Sequence, residues 1–541
     1  MPQTPPLQTD VSLLRSSTLP GTLAGENVAY PLGSLRLPTT HSDQDDMENI
    51  NEANGQEAQQ DEQEDDNESD KDDDEDGPER GDEQMDKYSD PESPDDAMED
   101  VSFPACAFQS NDEGELPRSS IPALQLSQDM IKAIQNAMLE QDLSDNLLNQ
   151  ICNPSKDIDD IGWLSKLLMC MFTALNNSSQ QTYADVKEVL LGFDPSIEMD
   201  SYFVAKKMLE QTMGVFKIMT NMCVGGCVAF TGPFLDLDAC PTCQEVWYHP
   251  QSNLQKPRTA RKQFSTIPLG PQLQAQWKSY SGAKWMRYRN FKTCDIFNKV
   301  KSDGTLEIDE YDDIFHGSGY LEAVAVGEIH EDDVLLMFSL DGAQLYHDKD
   351  SDCWFFIWII LNISPDLRYK KKFVLPGGFI PGPECPKNKE SFLLPGFWHI
   401  SVLQKEGLKC WDGFQSKWIT SRPFFFAGTA DTKGLPVISG LVGHSGKHGC
   451  CLYCGFPGRH KPGAAMYYPA ALRPSNDDTH KYHPDVDIVT IGPPNIHEYN
   501  KNLQALLSAR TTAAFTAARL ESGISRPSIC LALRCVMLSQ K

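Results

Sequence analysis

The chain has 541 residues and a formal charge of −30, but −25 of that falls in residues 41–100, where 28 Asp and Glu face 3 Lys and Arg. The other 481 residues carry only −5, so the overall acidity does not exclude a folded part that meets a polyanion. The length allows two to four compact units, and the longest apolar run, Cys353 to Ile363, is about half of what a membrane-spanning helix needs, which argues against a membrane protein.

Residues 1–120 are rich in Pro, Gln, Asn, Asp and Glu and poor in aromatics, so they read as a disordered acidic region that cannot bury enough apolar area to offset its ordering entropy. The run from Asp61 to Asp76 reads as a solvating tail, with mimicry of nucleic acid or capture of basic proteins as the functional alternative. Met1 to Asp10 is polar and proline-rich, without the look of a signal peptide. The 16 cysteines fall in short clips and apolar runs, as reduced thiols do, so the expectation is a soluble intracellular protein.

Residues 121–215 form a small helical region. Ile131, Ile134, Met138 and Leu139 recur at helical spacing over Ser127–Gln150, with Ser127 as N-cap, and further helices are predicted over 160–175, 183–191 and 202–212. No chemistry attaches to them. Residues 216–250 carry the clearest signal: Cys223-Val-Gly-Gly-Cys227, then Cys240-Pro-Thr-Cys243. Each clip bends two thiolates around one side of a metal, and together they close a tetrahedral shell, so the segment reads as a zinc-ribbon-like module holding structural Zn.

Residues 251–330 are basic. Between 256 and 301 there are 11 Lys and Arg and a single acid, Asp295, interleaved with Phe264, Trp277, Tyr280, Trp285, Tyr288 and Phe291. Cations beside aromatic faces suit a phosphate backbone, so Lys256, Arg258, Arg261, Lys262, Lys284, Arg287 and Arg289 are candidate DNA contacts; the alternative is an ordinary basic face over core aromatics.

Strand patterns begin at 331. Val334–Leu340 ends at Asp341-Gly342; Trp354–Ile363, Phe373–Leu375 and Phe424–Ala430 follow, the last ending at Asp431. Strands with intervening helices predict an α/β core. Asp341 and Asp431, each after an apolar strand, are candidate ligands for Mg or Mn; the competing reading makes each a turn or cap residue. A second metal site is expected at Cys451 and Cys454, with His444 and His448 as nearby candidates, His460 and His480 as distant ones, and Cys450 as a spare neighbour. An alanine-rich helix is predicted over 502–520.

From Cys223 to about Pro527 the chain resembles the transposases of CACTA-type (En/Spm-like) DNA transposons, particularly fungal ones. The motifs that carry this are Cys240-Pro-Thr-Cys243, Phe264-Ser-Thr-Ile-Pro-Leu-Gly-Pro-Gln-Leu-Gln274, Met286-Arg-Tyr-Arg289, Leu340-Asp-Gly-Ala-Gln-Leu-Tyr346, Leu375-Pro-Gly-Gly-Phe-Ile-Pro-Gly-Pro383 and Cys451-Leu-Tyr-Cys-Gly455. The resemblance implies a ribonuclease H-like catalytic core over 331–541 with three metal-binding acids, the first matching Asp341 and the second Asp431, and with a Cys-x2-Cys insertion matching Cys451 and Cys454. It further implies magnesium-dependent DNA cleavage and strand transfer on double-stranded transposon ends, in the nucleus, with self-association open and no membrane partner. The family's third acid lies in a later motif containing Met-His and an Asn, which this sequence lacks; Glu521 is the nearest late carboxylate and is a poor substitute. The core is therefore expected to be incomplete, with Cys530 to Lys541 as an altered or shortened tail. The alternative function is a non-catalytic, zinc-dependent DNA-binding or adaptor protein.

Overall fold

A six-stranded mixed sheet organises the molecule. The structure, a computed structural model, describes residues 116–534 apart from 140–142, 156–162, 176–177, 198, 251–257, 302–305, 307, 309, 345–351, 383–384, 432–433, 452, 461–465, 473–484 and 492–494. The acidic region expected up to 120 lies almost wholly outside the described residues, as do Lys256, His480 and the tail beyond 534. The strands are β1 (Ile218–Asn221), β2 (Gln263–Thr266), β3 (Leu335–Gln344), β4 (Asp352–Ile360), β5 (Val374–Pro381), β6 (Leu408–Asp412), β7 (Lys417–Ser421) and β8 (Phe424–Ala430), followed by the short pair β9 (Arg459–His460) and β10 (Tyr467–Tyr468). The main sheet runs β1-β2-β5-β4-β3-β8, and β6 with β7 forms a separate hairpin. β3, β4 and β5 are an antiparallel meander, whereas β8 lies parallel to β3, so the chain must cross over between β5 and β8.

Among the described residues the helices of five residues or more are α1 (Pro122–Gln135), α2 (Asp145–Cys152), α3 (Trp163–Ala174), α4 (Gln180–Phe193), α5 (Tyr202–Met213), α6 (Leu269–Lys278), α7 (Tyr280–Met286), α8 (Tyr288–Asn298), α9 (Ser318–Ala325), α10 (Lys389–Glu406), α11 (Leu435–Ser439), α12 (Ile496–Leu507) and α13 (Thr512–Ser522), with one further helical turn at Pro365–Arg368. The crossover is α10, which is buried along most of its length because it lies between the sheet and the α1 and α6 helices. Alternation decides what each sheet face meets. Phe338, Phe356, Trp358 and Phe425 point to the α10 face, where Phe397 joins them, while Leu335, Ile359 and Phe424 pack against Ile296 of α8 and Tyr320 of α9 on the other. None of the helices among the described residues is long and apolar enough to cross a membrane.

The segments read separately as zinc module and basic stretch supply β1 and β2 to this same sheet, β2 pairing with β5 through Ser265↔Phe379 and Thr266↔Gly378. The Pro-Gly-Gly motif is part of β5. Phe356 pairs with Gly378 and Ile357 with Pro376, which leaves Gly377 as the extra residue of a bulge. A Cβ at Gly377 would lie 2.3 Å from Phe356 Cδ2, and one at Gly378 2.5 Å from Phe356 Cε1. Both glycines therefore make room for one buried ring, and Gly377→Ala should lower stability by about 1–3 kcal/mol, read as a fall in the urea midpoint at constant slope. An unchanged midpoint would contradict this packing account.

Other predicted elements shift for identifiable reasons. The Ser127–Gln150 helix is two helices, and α1 starts at Pro122, a residue suited to the first turn; the Ser127 hydroxyl donates to Glu390 Oε2 at 3.3 Å inside the core and caps nothing. The 502–520 helix breaks into α12 and α13, Thr511 capping the second through its hydroxyl. Residues 524–534, partly expected as an aberrant tail, are built into the core: Ile524, Ile529, Cys530 and Leu533 are buried, and the Ser528 hydroxyl donates to Ile438 O at 2.6 Å. The 163–213 helices form a small cluster of their own around Leu168, Tyr183, Met199 and Ala205.

Candidate metal centre and acid pair

The four cysteines at 223, 227, 240 and 243 converge, with their sulfurs all within 4.8 Å of one another and Cys223 and Cys243 3.4 Å apart. Zinc–thiolate bonds of about 2.3 Å in a tetrahedron need sulfurs about 3.8 Å apart, so the donor set fits zinc. Two tight turns make it. Gly226 sits at φ +67° and its N–H donates to Cys223 O; Gln244 sits at φ +64° and its N–H donates to Cys240 O. Burial, with the neighbouring thiols, pushes Cys227 up to about 12 and also raises Cys223. At Cys240 burial is outweighed by N–H groups of Cys243 and Thr242, and its pKa falls. Four thiols so crowded, with Cys223 and Cys227 resisting ionisation, are stable as ligands of a cation that replaces their protons.

The centre is fastened to the core. Asn388 donates its N–H to Cys227 O at 2.9 Å, Ala229 N–H donates to Ser391 Oγ at 2.9 Å, and the Thr231 hydroxyl donates to Ser391 O at 2.6 Å; Asn388 is the N-cap of α10. Lys262 Nζ donates to Gly382 O at 2.6 Å and Val224 O at 3.3 Å, tying β5 to the first clip, and burial lowers its pKa against the pull of Cys223.

Asp341 and Asp431 come together at the sheet's other edge. The last parallel pair of β3 and β8 is Leu340↔Ala430, so both aspartates are the next residue on neighbouring strands, which run about 4.8 Å apart. β3 does not end at Asp341 as expected; it continues paired with β4 to Gln344, and what ends there is its pairing with β8. Both aspartates are exposed. Asp341 Oδ1 accepts the Gly342 N–H at 2.8 Å. Asp431 Oδ1 accepts the Gly434 N–H at 2.6 Å, so this residue does cap the turn into α11. A Cβ on Gly434 would lie 3.1 Å from that oxygen and 3.4 Å from Leu340 O, which sets the cap directly against β3. Across β3, Trp354 covers Gly342, where a Cβ would meet its indole at 3.0 Å, and Lys389 Nζ lies 4.6 Å from the Trp354 ring centre. The sequence reading missed Trp354 and Lys389; the pairing Gly342↔Trp354 was the available signal, and it needed the register.

Among the described residues no third acid, imidazole or thiol joins this pair in a ligand cluster. Glu521 is exposed on α13 and pairs with Lys447 at 3.2 Å. At the expected second metal site no three of His444, His448, Cys450, Cys451 and Cys454 converge, while the distant candidate His480 lies outside the described residues. The Tyr453 N–H donates to Cys450 O, and that turn brings Cys450, not Cys451, within hydrogen-bonding reach of the Cys454 thiol. Cys451 and His444 are exposed, and His448 has a backbone hydrogen bond with Gly455 and a buried Nε2 that meets no partner; burial lowers its pKa.

Most of the expected DNA contacts serve the protein instead. Arg287 is buried against Asp412, Asp332 and Glu331, and Arg289 is buried with its Nη2 donating to the carbonyls of His330, Glu331 and Asp333. They face inward because Met286 and Ile296 place their helices in the core. Arg258 pairs with Asp238, Arg261 with Glu245, and Lys262 is held as above. Lys284 alone of the described set is exposed without a carboxylate partner. Comparison of the sequence with protein-family models and with characterised proteins finds no match.

Proposed function

We propose that this is a DNA-acting protein of transposase type, related to the CACTA-type elements its motifs resemble, with a ribonuclease H-like core that holds a divalent cation between Asp341 and Asp431. The observation that carries the reading is the placement of these two aspartates on adjoining parallel strands, one residue beyond Leu340↔Ala430. The topology agrees with it: an antiparallel meander β3-β4-β5, a crossover helix, and a fourth strand parallel to the first and beside it is the order such a core requires. The carboxyl ends of parallel strands are where α/β sheets gather functional groups.

Asp341 and Asp431 would supply oxygen ligands of the kind Mg or Mn takes, and the bound ion would supply charge stabilisation for a phosphodiester under attack by water or a 3′-hydroxyl. Trp354 and Lys389 lie on the α10 face behind Gly342 and would support β3 from the side opposite to the acid pair. The zinc centre acts structurally, holding β1 and β2 on the sheet. Such a protein works on double-stranded DNA in the nucleus.

A second reading, a zinc-dependent DNA-binding protein without cleavage, is favoured by the Asp431 cap and by the lack of a third ligand among the described residues. A plasmid-nicking assay with magnesium separates them. Cleavage that falls at least 100-fold in Asp341→Ala while DNA affinity stays within about twofold supports the first. Background rates for both proteins, with DNA still bound, leave the second.

A further inference from the structure

The four clustered cysteines do not meet solvent equally. Cys223, Cys227 and Cys240 are buried, each with at most 1% of its surface accessible, whereas Cys243 is exposed. The difference follows from what holds each clip. The first clip lies against the start of α10, where the Asn388 N–H donates to Cys227 O and Ser391 Oγ accepts the Ala229 N–H. The second clip is a turn open to solvent. Pro241, Thr242, Gln244 and Glu245 are all exposed, and the Thr242 N–H donates back to Cys240 Sγ at 3.4 Å, which holds that sulfur in place. One corner of the shell, Cys243, is therefore open to a small reagent, and its sulfur lies 3.4 Å from that of buried Cys223. A disulfide needs about 2.05 Å, so closing the pair takes a shift of about 1.4 Å, which an exposed turn can supply.

We propose that Cys223 and Cys243 are an oxidisable pair, which hydrogen peroxide converts into a disulfide with loss of the zinc. This rests on the zinc fit above and not on the DNA-acting reading. The exposed Cys243 thiolate attacks the O–O bond of the peroxide, takes one oxygen as a sulfenic acid and releases hydroxide. The Cys223 thiolate then attacks Cys243 Sγ and displaces a second hydroxide. The two sulfurs lose two electrons and the peroxide gains them. Cys227 and Cys240 are left as two donors where zinc takes four, and each gains a proton as the cation leaves. The product differs from metal-stripped protein. Its disulfide still ties the second clip to the first, and the first clip stays bonded to α10.

The test treats the zinc-loaded full chain with equimolar hydrogen peroxide, reads released zinc with a chromogenic chelator, and blocks free thiols before peptide mapping. Release should track formation of the 223–243 disulfide at about one zinc per bond, and dithiothreitol with added zinc should restore the centre. The oxidised protein should melt about 5 °C above protein stripped by a chelator under reducing conditions. Cys243→His keeps a zinc-ligating side chain but removes the partner of Cys223, and should lose zinc about tenfold more slowly under peroxide. The parent's peptide map does not depend on any variant. A map in which Cys240–Cys243, Cys223–Cys227 or Cys450–Cys454 is the bond that accompanies release overturns the assignment. Release with only sulfinic acid at Cys243, or zinc retained under peroxide, overturns it too. A reduced chain that takes up no zinc overturns both the proposal and the zinc fit beneath it.

Discussion

Replacing Cys240 by Ser, or removing zinc with a chelator, is expected to lower the melting temperature of the whole sheet by more than 10 °C rather than to loosen residues 216–250 alone. Zinc binding by four thiolates is worth about 10–16 kcal/mol in small zinc modules, comparable with the entire stability of a typical domain. Here that energy is not confined to a module. The clips hold β1 and β2 at the edge of the main sheet, and the first clip also bonds to Asn388 and Ser391 at the start of α10. Losing the metal leaves four crowded thiols, frees the edge strands, and removes the partners of the α10 N-terminus. Circular dichroism melts and amide exchange of β5 should report the change together. Stoichiometric zinc release with an unshifted melt would refute the coupling.

Asp412→Ala is expected to cost about 3–5 kcal/mol and to lower the melting temperature by about 6–15 °C. Arg287 and Asp412 are both buried, with Arg287 Nε and Nη2 donating to Asp412 Oδ2 at 3.0 and 2.6 Å and the guanidinium lying 4.9 Å from the Trp277 ring centre. Asp412 Oδ1 also accepts the N–H groups of Phe414 and Gln415, both at 2.9 Å, which shapes the β6–β7 turn. The truncation strands a charged guanidinium inside the protein, with only Asp332 and the more exposed Glu331 left to face it. Replacing both partners by apolar residues, as in Arg287→Met with Asp412→Leu, should recover part of the loss, because the guanidinium is no longer stranded, although Asp332 then loses its partner. A single-variant loss under 1 kcal/mol, from denaturant unfolding, would show that water reaches the pair.

What could be read in the sequence was what short-range pattern encodes. The four-cysteine cluster, which could hold zinc, was legible because both of its halves are local clips. β8 was placed to the residue because Phe424–Ala430 is a plain apolar run ending in a turn. The adjacency of Asp341 and Asp431 was expected from resemblance, and 90 residues separate them; only the β3–β8 register makes it physical. Direction of side chains was not legible. Arg287 and Arg289 look like surface cations in a basic stretch, yet the acids that pair with Arg287, Asp412 and Asp332, and the carbonyls of His330, Glu331 and Asp333 that hold Arg289 come from distant segments. Cys450 and Cys451 are indistinguishable by spacing, and a single turn hydrogen bond selects Cys450 as the neighbour of Cys454. Gly377 and Gly378 make space for Phe356, which no local pattern could show because that ring comes from a neighbouring strand.

The unequal lengths of β3 and β8 have a mechanical consequence. Past Leu340, β3 loses β8 and is held on one side only, by β4, which itself stays paired with β5 as far as Cys353↔Pro381. Asp431 is anchored by its turn, whereas Asp341 rides on a strand end with one open side, so the gap between their carboxylates is a soft coordinate. A cation bridging them would act as a strap, and its affinity would rise with whatever stiffens that strand end, beginning with the indole of Trp354 lying across Gly342.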